Sequence, residues 1–132
     1  MGRGSSKAGN SRGGKYTSPE DFENKLMNGK GFDDPDYAKF EQAYSEGRKY
    51  NEGLEKNTKQ SINEDGYEGQ DEILNAEEKM AKRYLDNLPK NKTASQIGYQ
   101  MAFEEELDLI NELRKYKRKK VKDVDIAEYR RR

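Results

Sequence analysis

The apolar side chains of this chain come in small groups at helical spacing, and this thin distribution is what most limits its fold. Phe103, Leu107 and Ile110 repeat every three or four residues, as on one face of an α-helix. Only 30% of the 132 residues are hydrophobic and 39% are charged, against roughly 45–50% (glycine included) and about 25% in ordinary globular domains. Such a sequence cannot build a large dry core. We therefore predict an all-α protein, a small bundle of three to four helices that is marginally stable alone or stabilised by a partner.

Two short sequences mark where the first helices begin. In "TSPED", Ser18 is a favourable N-cap residue and a proline follows at the first helical position, which predicts a short helix that ends at Gly29. Asp34 repeats the signal before a second proline, and we expect this second helix to end or bend near Gly47 because glycine weakens a helix interior. Its aromatic stripe consists of Tyr37, Phe40 and Tyr44. We expect the stripe to form a packing seam, with stacking on nucleic-acid bases as the alternative.

The second half of the chain predicts a loop and two further helices. The stretch 57–70 is polar and contains "NEDGYEG", whose glycines are typical of a loop. Apolar spacing predicts a third helix over 71–87 and a fourth over 94–120. The fourth helix is preceded by a capping box, in which Thr93 and Gln96 are expected to cap each other.

Two basic ends flank the helical part. We expect residues 1–16 to form a flexible, disordered basic arm, 17–122 the helical domain, and 123–132 a basic C-terminal tail that begins with a short turn. Residues 1–18 carry four basic and no acidic side chains, and residues 114–132 carry ten basic and three acidic ones. Because the net charge is zero, the remaining residues carry −11. This uneven distribution of charge along the chain gives information about binding partners rather than about the fold.

The residue types that are missing exclude most enzyme chemistry. The chain has no cysteine and no histidine, which removes thiolate sites, the usual general base and the commonest metal ligand. The consecutive carboxylates Glu104–Glu106 cannot converge on one point, because successive helix residues point about 100° apart. The acids of "NEDGYEG" do not follow the EF-hand spacing, and the glycines form no phosphate-binding loop. We therefore predict a protein that is not an enzyme and has no cofactor and no metal.

An acidic surface is the first candidate binding site. It consists of Asp33, Asp34, Asp36, Glu64, Asp65, Glu68, Asp71 and Glu72, and the same cluster continues to Glu77 and Glu78. Carboxylates reproduce the charge of phosphates, so such a surface is suited to occupy a basic groove on another protein or on a protein–nucleic acid complex. The alternative interpretation is a solvated surface of a helical protein.

The two basic ends are the second candidate site, for nucleic acid. Its residues are Arg3, Lys7, Arg12 and Lys15 in the arm, and Arg114, Lys115, Lys117, Arg118, Lys119 and Lys120 in the fourth helix. They are suited to phosphate contacts that weaken with salt. The basic run also agrees with the dipole of the helix it ends, which is the structural alternative. The long C-terminal helix is in addition a candidate surface for homo-oligomers.

Two segments, "GRGSSKAG" and "NKTASQIGYQMAFEEELDLI", resemble segments of small proteins from phages and mobile elements of Gram-positive hosts. The resemblance covers about a fifth of the chain. It implies a viral setting, in which such proteins often inhibit host defence, as anti-CRISPR proteins do, or are packaged with the genome. We expect a protein of the host bacterial cytoplasm or the virion, without a signal peptide or membrane span. It would bind a host protein or ribonucleoprotein complex, with genome-associated nucleic-acid binding as the alternative.

Overall fold

The computed structural model describes residues 13–65 and 70–131, with the side chains of 13–64 and 70–120. Four α-helices account for most of this part: α1 (Pro19–Met27), α2 (Pro35–Asp65), α3 (Gln70–Asp86) and α4 (Ala94–Arg131). A short 3₁₀ turn, Gly31–Asp33, precedes α2. The prediction of a small all-α bundle is confirmed. Residues 1–12, most of the predicted arm, lie outside the described residues.

The helix starts follow the predicted capping signals. The Ser18 Oγ atom accepts a hydrogen bond from the backbone N–H of Asp21 at 3.0 Å. The backbone N–H of Gln96 donates to Thr93 Oγ1 at 3.1 Å, and the N–H of Thr93 donates to Gln96 Oε1 at 2.9 Å. Both caps satisfy donors that have no partner within the helix.

The predicted end or bend of α2 near Gly47 is wrong, because this glycine packs against α4. A Cβ atom at Gly47 would lie 2.2 Å from the Cβ atom of Ala102, and one at Gly98 would lie 2.6 Å from the carbonyl oxygen of Phe40. Two glycines, one on each helix, therefore let the backbones of α2 and α4 approach closely. The helix continues beyond Gly47 because α4 packs against α2 at this glycine and covers it.

The predicted loop is also wrong for residues 57–65, which are helical, while residues 66–69 lie outside the described part. Thr58 and Ile62 are buried at 4% and 2% exposure, and with Leu54 they form a face at four-residue spacing. The predicted short turn after residue 122 is likewise wrong. The α4 backbone runs without a break to Arg131.

The bundle has two small cores. The first lies where α1 meets the starts of α2 and α4, and it contains Tyr16, Phe22, Leu26, Ala94 and Ile97, with Tyr37 and Phe40 packed against them. The second lies between the second half of α2, α3 and the middle of α4, and it contains Leu74, Ile110 and Leu113, with Leu54 and Leu109. The aromatic stripe of α2 thus contributes to the first core. The segment between the two cores contains a pocket.

The end of the predicted arm belongs to the packed domain. Tyr16 is 4% exposed, and its backbone forms an isolated antiparallel bridge with Lys92. Its hydroxyl donates to Asp36 Oδ2 at 2.5 Å, and the N–H of Gly14 donates to the same oxygen at 2.7 Å. The Tyr16 side chain and the Gly14 backbone together attach residues 13–16 to the start of α2. Across the described residues, no helix is both long and apolar enough to cross a membrane.

Candidate functional site

A pocket of about 330 Å³ opens between α2, α3 and α4, midway between the two cores. The close packing of Gly47 and Ala102 forms part of its wall, and Met80 and Phe103 add apolar surface. Each of the three helices contributes one glutamate to the lining: Glu46 from α2, Glu77 from α3 and Glu106 from α4. The pocket therefore combines apolar walls with three carboxyl groups.

Glu106 is the most unusual residue in this pocket. Its side chain is 1% exposed, and its Oε2 atom has no hydrogen-bond partner among the described residues. Burial, followed by the hydrogen bond and the charge of Glu77, raises the pKa of the Glu106 carboxyl group to about 8. The group is therefore mostly protonated at pH 7, and a neutral acid occupies the inner part of the pocket.

Two tyrosine hydroxyls donate hydrogen bonds to the other two carboxylates of the pocket. The Tyr50 hydroxyl donates to Glu77 Oε1, and the Tyr99 hydroxyl donates to Glu46 Oε2 at 3.3 Å. Burial, together with the neighbouring carboxylates, raises the pKa of both tyrosines, so both stay protonated as donors. Each of these interactions joins α2 to another helix, which fixes the positions of the carboxylates.

Tyr84, which does not line the pocket, packs against two aromatic residues of the pocket wall. The Tyr84 ring lies 4.6 Å from the Phe103 ring and 6.3 Å from the Tyr99 ring, measured between centroids. Such pairs add about 0.5–1.5 kcal/mol beyond the area they bury. The pocket wall is thus built from packed rings rather than from loosely held side chains.

The lining is suited to a cation that carries an apolar stem. Three glutamates line the pocket, and no lysine or arginine is among its lining residues within the described part of the chain. The described residues contain no group of three or more side chains placed to hold a metal ion. An organic cation can pair with the carboxyl groups and pack its apolar part against the walls.

The structure does not bring the predicted acidic residues together on one surface. Asp33 and Asp34 lie at the start of α2, whereas Glu64, Asp71 and Glu72 lie near its far end, about 45 Å away at 1.5 Å per residue. The side chains of Asp65 and Glu68 lie outside the described ones. Asp33, Glu64 and Glu72 are exposed.

Three predicted acidic residues have structural partners instead. Asp34 Oδ1 accepts a hydrogen bond from the backbone N–H of Asp36 at 2.9 Å, at the start of α2. Asp36 is 3% exposed, accepts hydrogen bonds from Gly14 and Tyr16, and lies 3.9 Å from Lys39 Nζ. Asp71 forms an ion pair of 2.9 Å with Lys117 on α4. The Asp36 carboxylate is therefore used within the fold, whereas the Asp71 side chain remains 70% exposed beside Lys117.

Some of the predicted basic residues also have partners within the fold, whereas others are exposed. Arg114 forms two hydrogen bonds with Glu78 on α3, from Nη1 to Oε2 at 3.1 Å and from Nη2 to Oε1 at 3.0 Å. Lys115 pairs with Glu112, and Lys120 lies over the Tyr116 ring. Lys15, Arg118 and Lys119 are exposed, and Arg3, Lys7 and Arg12 lie outside the described residues.

The predicted site residues include neither Glu106 nor Glu46, although the sequence contains a signal for Glu106. Phe103, Glu106, Ile110 and Leu113 follow one another at helical spacing, so the glutamate lies on the apolar stripe of α4. A carboxyl group on that stripe has to be buried, whereas the neighbouring Glu104 and Glu105 are exposed. Glu46 gives no such signal, because its place in the pocket depends on how α2 and α4 pack.

No protein-family model, curated protein or solved structure matches the chain.

Proposed function

We propose that this chain is a non-enzymatic accessory protein of a phage or mobile element, which binds and inhibits a host protein or a protein–nucleic acid complex in an anti-CRISPR-like manner. A basic group of the partner enters the pocket between α2, α3 and α4. The observation that carries the proposal is the buried Glu106 carboxyl group, whose Oε2 atom lacks a hydrogen-bond partner in the described part of the chain and which lines a cavity together with two more glutamates. The resemblance of "GRGSSKAG" and "NKTASQIGYQMAFEEELDLI" to segments of phage proteins supports the viral setting.

The charge of the pocket explains why a basic protein is the favoured partner. A lysine or arginine that enters it exchanges water for carboxylates in a partly closed site, where charge-assisted hydrogen bonds are strong. Residues that fill such pockets contribute most of the binding energy of an interface. On the second half of α2, exposed charges of opposite sign lie in pairs such as Arg48–Glu52 and Lys59–Glu55, so this part of the surface favours no partner of one sign.

The experiment that tests this proposal is a pull-down from a nuclease-treated lysate of a Gram-positive host. The full chain is compared with Glu77→Gln, which removes one pocket carboxylate, and with Glu72→Gln, a matched change at an exposed position of the same helix. We expect a host protein to be retained by the wild type and by Glu72→Gln and to be lost with Glu77→Gln. Equal retention by all three proteins would show that the pocket does not bind the partner.

Nucleic-acid binding at the end of α4 is the second candidate function. The last described contacts between α4 and its neighbours are at Tyr116, whose hydroxyl donates to Asn63 at 2.8 Å, and at Lys117, which pairs with Asp71. The α4 backbone continues to Arg131, about 20 Å further at 1.5 Å per residue. Arg118 and Lys119 are exposed at the start of this extension.

A gel-shift assay at two salt concentrations tests this second function. The double variant Arg118→Gln/Lys119→Gln should lose affinity for DNA or RNA, and its remaining binding should depend less steeply on salt. The double variant Lys79→Gln/Lys90→Gln changes two exposed lysines elsewhere and is the control. If both double variants bind alike, the end of α4 is not the nucleic-acid site.

A further inference from the structure

We propose that the pocket binds one lysine side chain of the partner protein, with the ammonium group between Glu77 and Glu106 and the alkyl stem against Phe103, and that Glu106 releases its proton when the ammonium group enters. This inference rests on the proposed function, because it identifies the basic group that the partner supplies.

The size of the pocket limits its occupant to a single side chain or a small molecule. Its volume of about 330 Å³ lies at the lower end of ligand sites, which span about 300–1,000 Å³. The opening is flanked by Met80 and Tyr50, which are 58% and 52% exposed. A side chain that projects from a partner surface passes these two residues before it reaches the buried carboxyl group.

The arrangement of the acceptors favours lysine over arginine. The three carboxyl groups come from three different helices, and two of them already accept hydrogen bonds from tyrosines. An ammonium group has three donors that point in different directions, whereas a guanidinium group presents its donors in one plane and pairs best with a single carboxylate from the side. Acceptors that surround the occupant therefore match an ammonium group.

The proton balance follows from the groups that face Glu106. These are Glu46 and Tyr50 from α2, Glu77 from α3, and Tyr99 from α4 itself. With no cation among them, the Glu106 carboxyl group holds its proton. When the ammonium group of the partner enters, the positive charge favours the carboxylate, and one proton leaves Glu106 for the solvent. No covalent bond to the partner is formed.

The test uses small probes of the lysine side chain with the full chain. Nα-acetyl-lysine N-methylamide is titrated into isotope-labelled protein and followed by NMR, beside the norleucine and arginine analogues and free n-butylamine. We expect the lysine amide to bind at millimolar concentration, to shift the signals of Tyr50 and Phe103, and to bind at least tenfold more tightly than the norleucine analogue. Binding of the arginine analogue as tight as that of lysine, or binding of n-butylamine without binding of the lysine amide, would contradict the proposal.

The protonation change gives a second and independent readout. Release of one proton predicts that the affinity for the lysine amide rises about tenfold from pH 6 to pH 7, since Glu106 ionises with a pKa of about 8 in the free protein. In Glu106→Gln this pH dependence should be lost and the affinity at pH 8 should fall at least tenfold. Glu104→Gln, an exposed position on the same helix, should behave as the wild type. A pH-independent affinity of the wild type would overturn the inference.

The two proposals fail separately. If a host protein is retained only with an intact pocket but the lysine amide does not bind, the proposed function stands and the lysine assignment is wrong. If the lysine amide binds with proton release but no host protein is retained, the lysine site stands and the proposed function is wrong.

Discussion

At the scale of single residues, the partners of a buried carboxyl group decide its role in this protein. Asp36 and Glu106 are almost equally inaccessible, at 3% and 1% exposure. Asp36 accepts hydrogen bonds from Gly14 and Tyr16, whereas Glu106 Oε2 has no hydrogen-bond partner in the described part of the chain. A buried polar group without a partner costs about 1–3 kcal/mol. Asp36 therefore stabilises the fold, whereas Glu106, which shares a hydrogen bond with Glu77, keeps one carboxyl oxygen without a partner among the described residues.

Glu106 should make the stability of the protein depend on pH. Its pKa in the folded state, about 8, lies above the ordinary glutamate value of about 4.3. Between these two pH values the folded protein holds a proton that the unfolded chain has lost, so the free energy of unfolding falls as pH rises through this window. In Glu106→Gln this fall should be absent, so the stability of the variant relative to the wild type should increase steadily from pH 4 to pH 8.

Urea denaturation from pH 4 to pH 9 measures this effect. Glu104→Gln, on the same helix but exposed, should keep the pH profile of the wild type. Profiles of the wild type and Glu106→Gln that run parallel through the window would show that Glu106 ionises normally.

Tyr16 attaches the segment before α1 to the bundle, and its hydroxyl should contribute to stability. Tyr16→Phe keeps the buried ring but leaves Asp36 without its 2.5 Å donor. We expect a loss of about 1–3 kcal/mol in the free energy of unfolding. Tyr37→Phe is the matched control, because the Tyr37 hydroxyl makes only a long, exposed hydrogen bond of 3.4 Å to Glu41. Equal effects of the two changes would contradict the role given to Tyr16.

At the scale of helices, close contact between α2 and α4 depends on glycine. Gly98→Ala should be destabilising by about 1–3 kcal/mol, because a new methyl group would lie 2.6 Å from the Phe40 carbonyl oxygen and 3.0 Å from Ala43 Cβ. Gly53→Ala is the opposite case, since nothing lies within 4 Å of its Cβ position in α2. It should stabilise the protein by about 0.5–1 kcal/mol through helix propensity. Thermal unfolding of both variants tests the assignment, which fails if both changes stabilise the protein.

The helices were predictable from local signals, but their packing was not. Ser18, Thr93 and the prolines mark the starts of α1, α2 and α4 because capping acts over three or four residues. The role of Gly47 depends on Ala102, which lies 55 residues away in the sequence, so local reasoning treats it as a helix breaker. The pocket likewise depends on contacts between residues that are far apart in the sequence. Its carboxyl groups come from three helices, and only the place of Glu106 on an apolar stripe is visible in the sequence.

At the scale of the whole molecule, charges that look segregated along the chain are paired across helices. The acidic start of α3 lies beside the basic part of α4, with Lys117 on Asp71 and Arg114 on Glu78. Part of each predicted binding surface is thus neutralised by the other. The carboxyl groups of the pocket and the exposed Arg118 and Lys119 are among the charges that this pairing leaves for partners.

The Arg114–Glu78 pair should therefore couple α3 to α4 measurably. Arg114 donates two hydrogen bonds to Glu78, which lowers the pKa of that carboxyl group, and a third to Asn75 at 2.7 Å. A double-mutant cycle with Arg114→Gln and Glu78→Gln should give a coupling energy of about 1 kcal/mol at pH 7 and low salt. The coupling should fade below the ordinary glutamate pKa of about 4.3, where the unfolded chain is already protonated, and in high salt.

The Lys115–Glu112 pair is the control for this cycle, because both side chains are about two-thirds exposed and lie within one helix. Its coupling energy should be near zero under the same conditions. A cycle at Arg114 and Glu78 that is as weak as this control would mean that this pair does not hold α3, which would leave that role to the core around Leu74 and to other polar contacts such as Lys117–Asp71. The charges of α3 and α4 would then be available to partners, as the sequence by itself suggests.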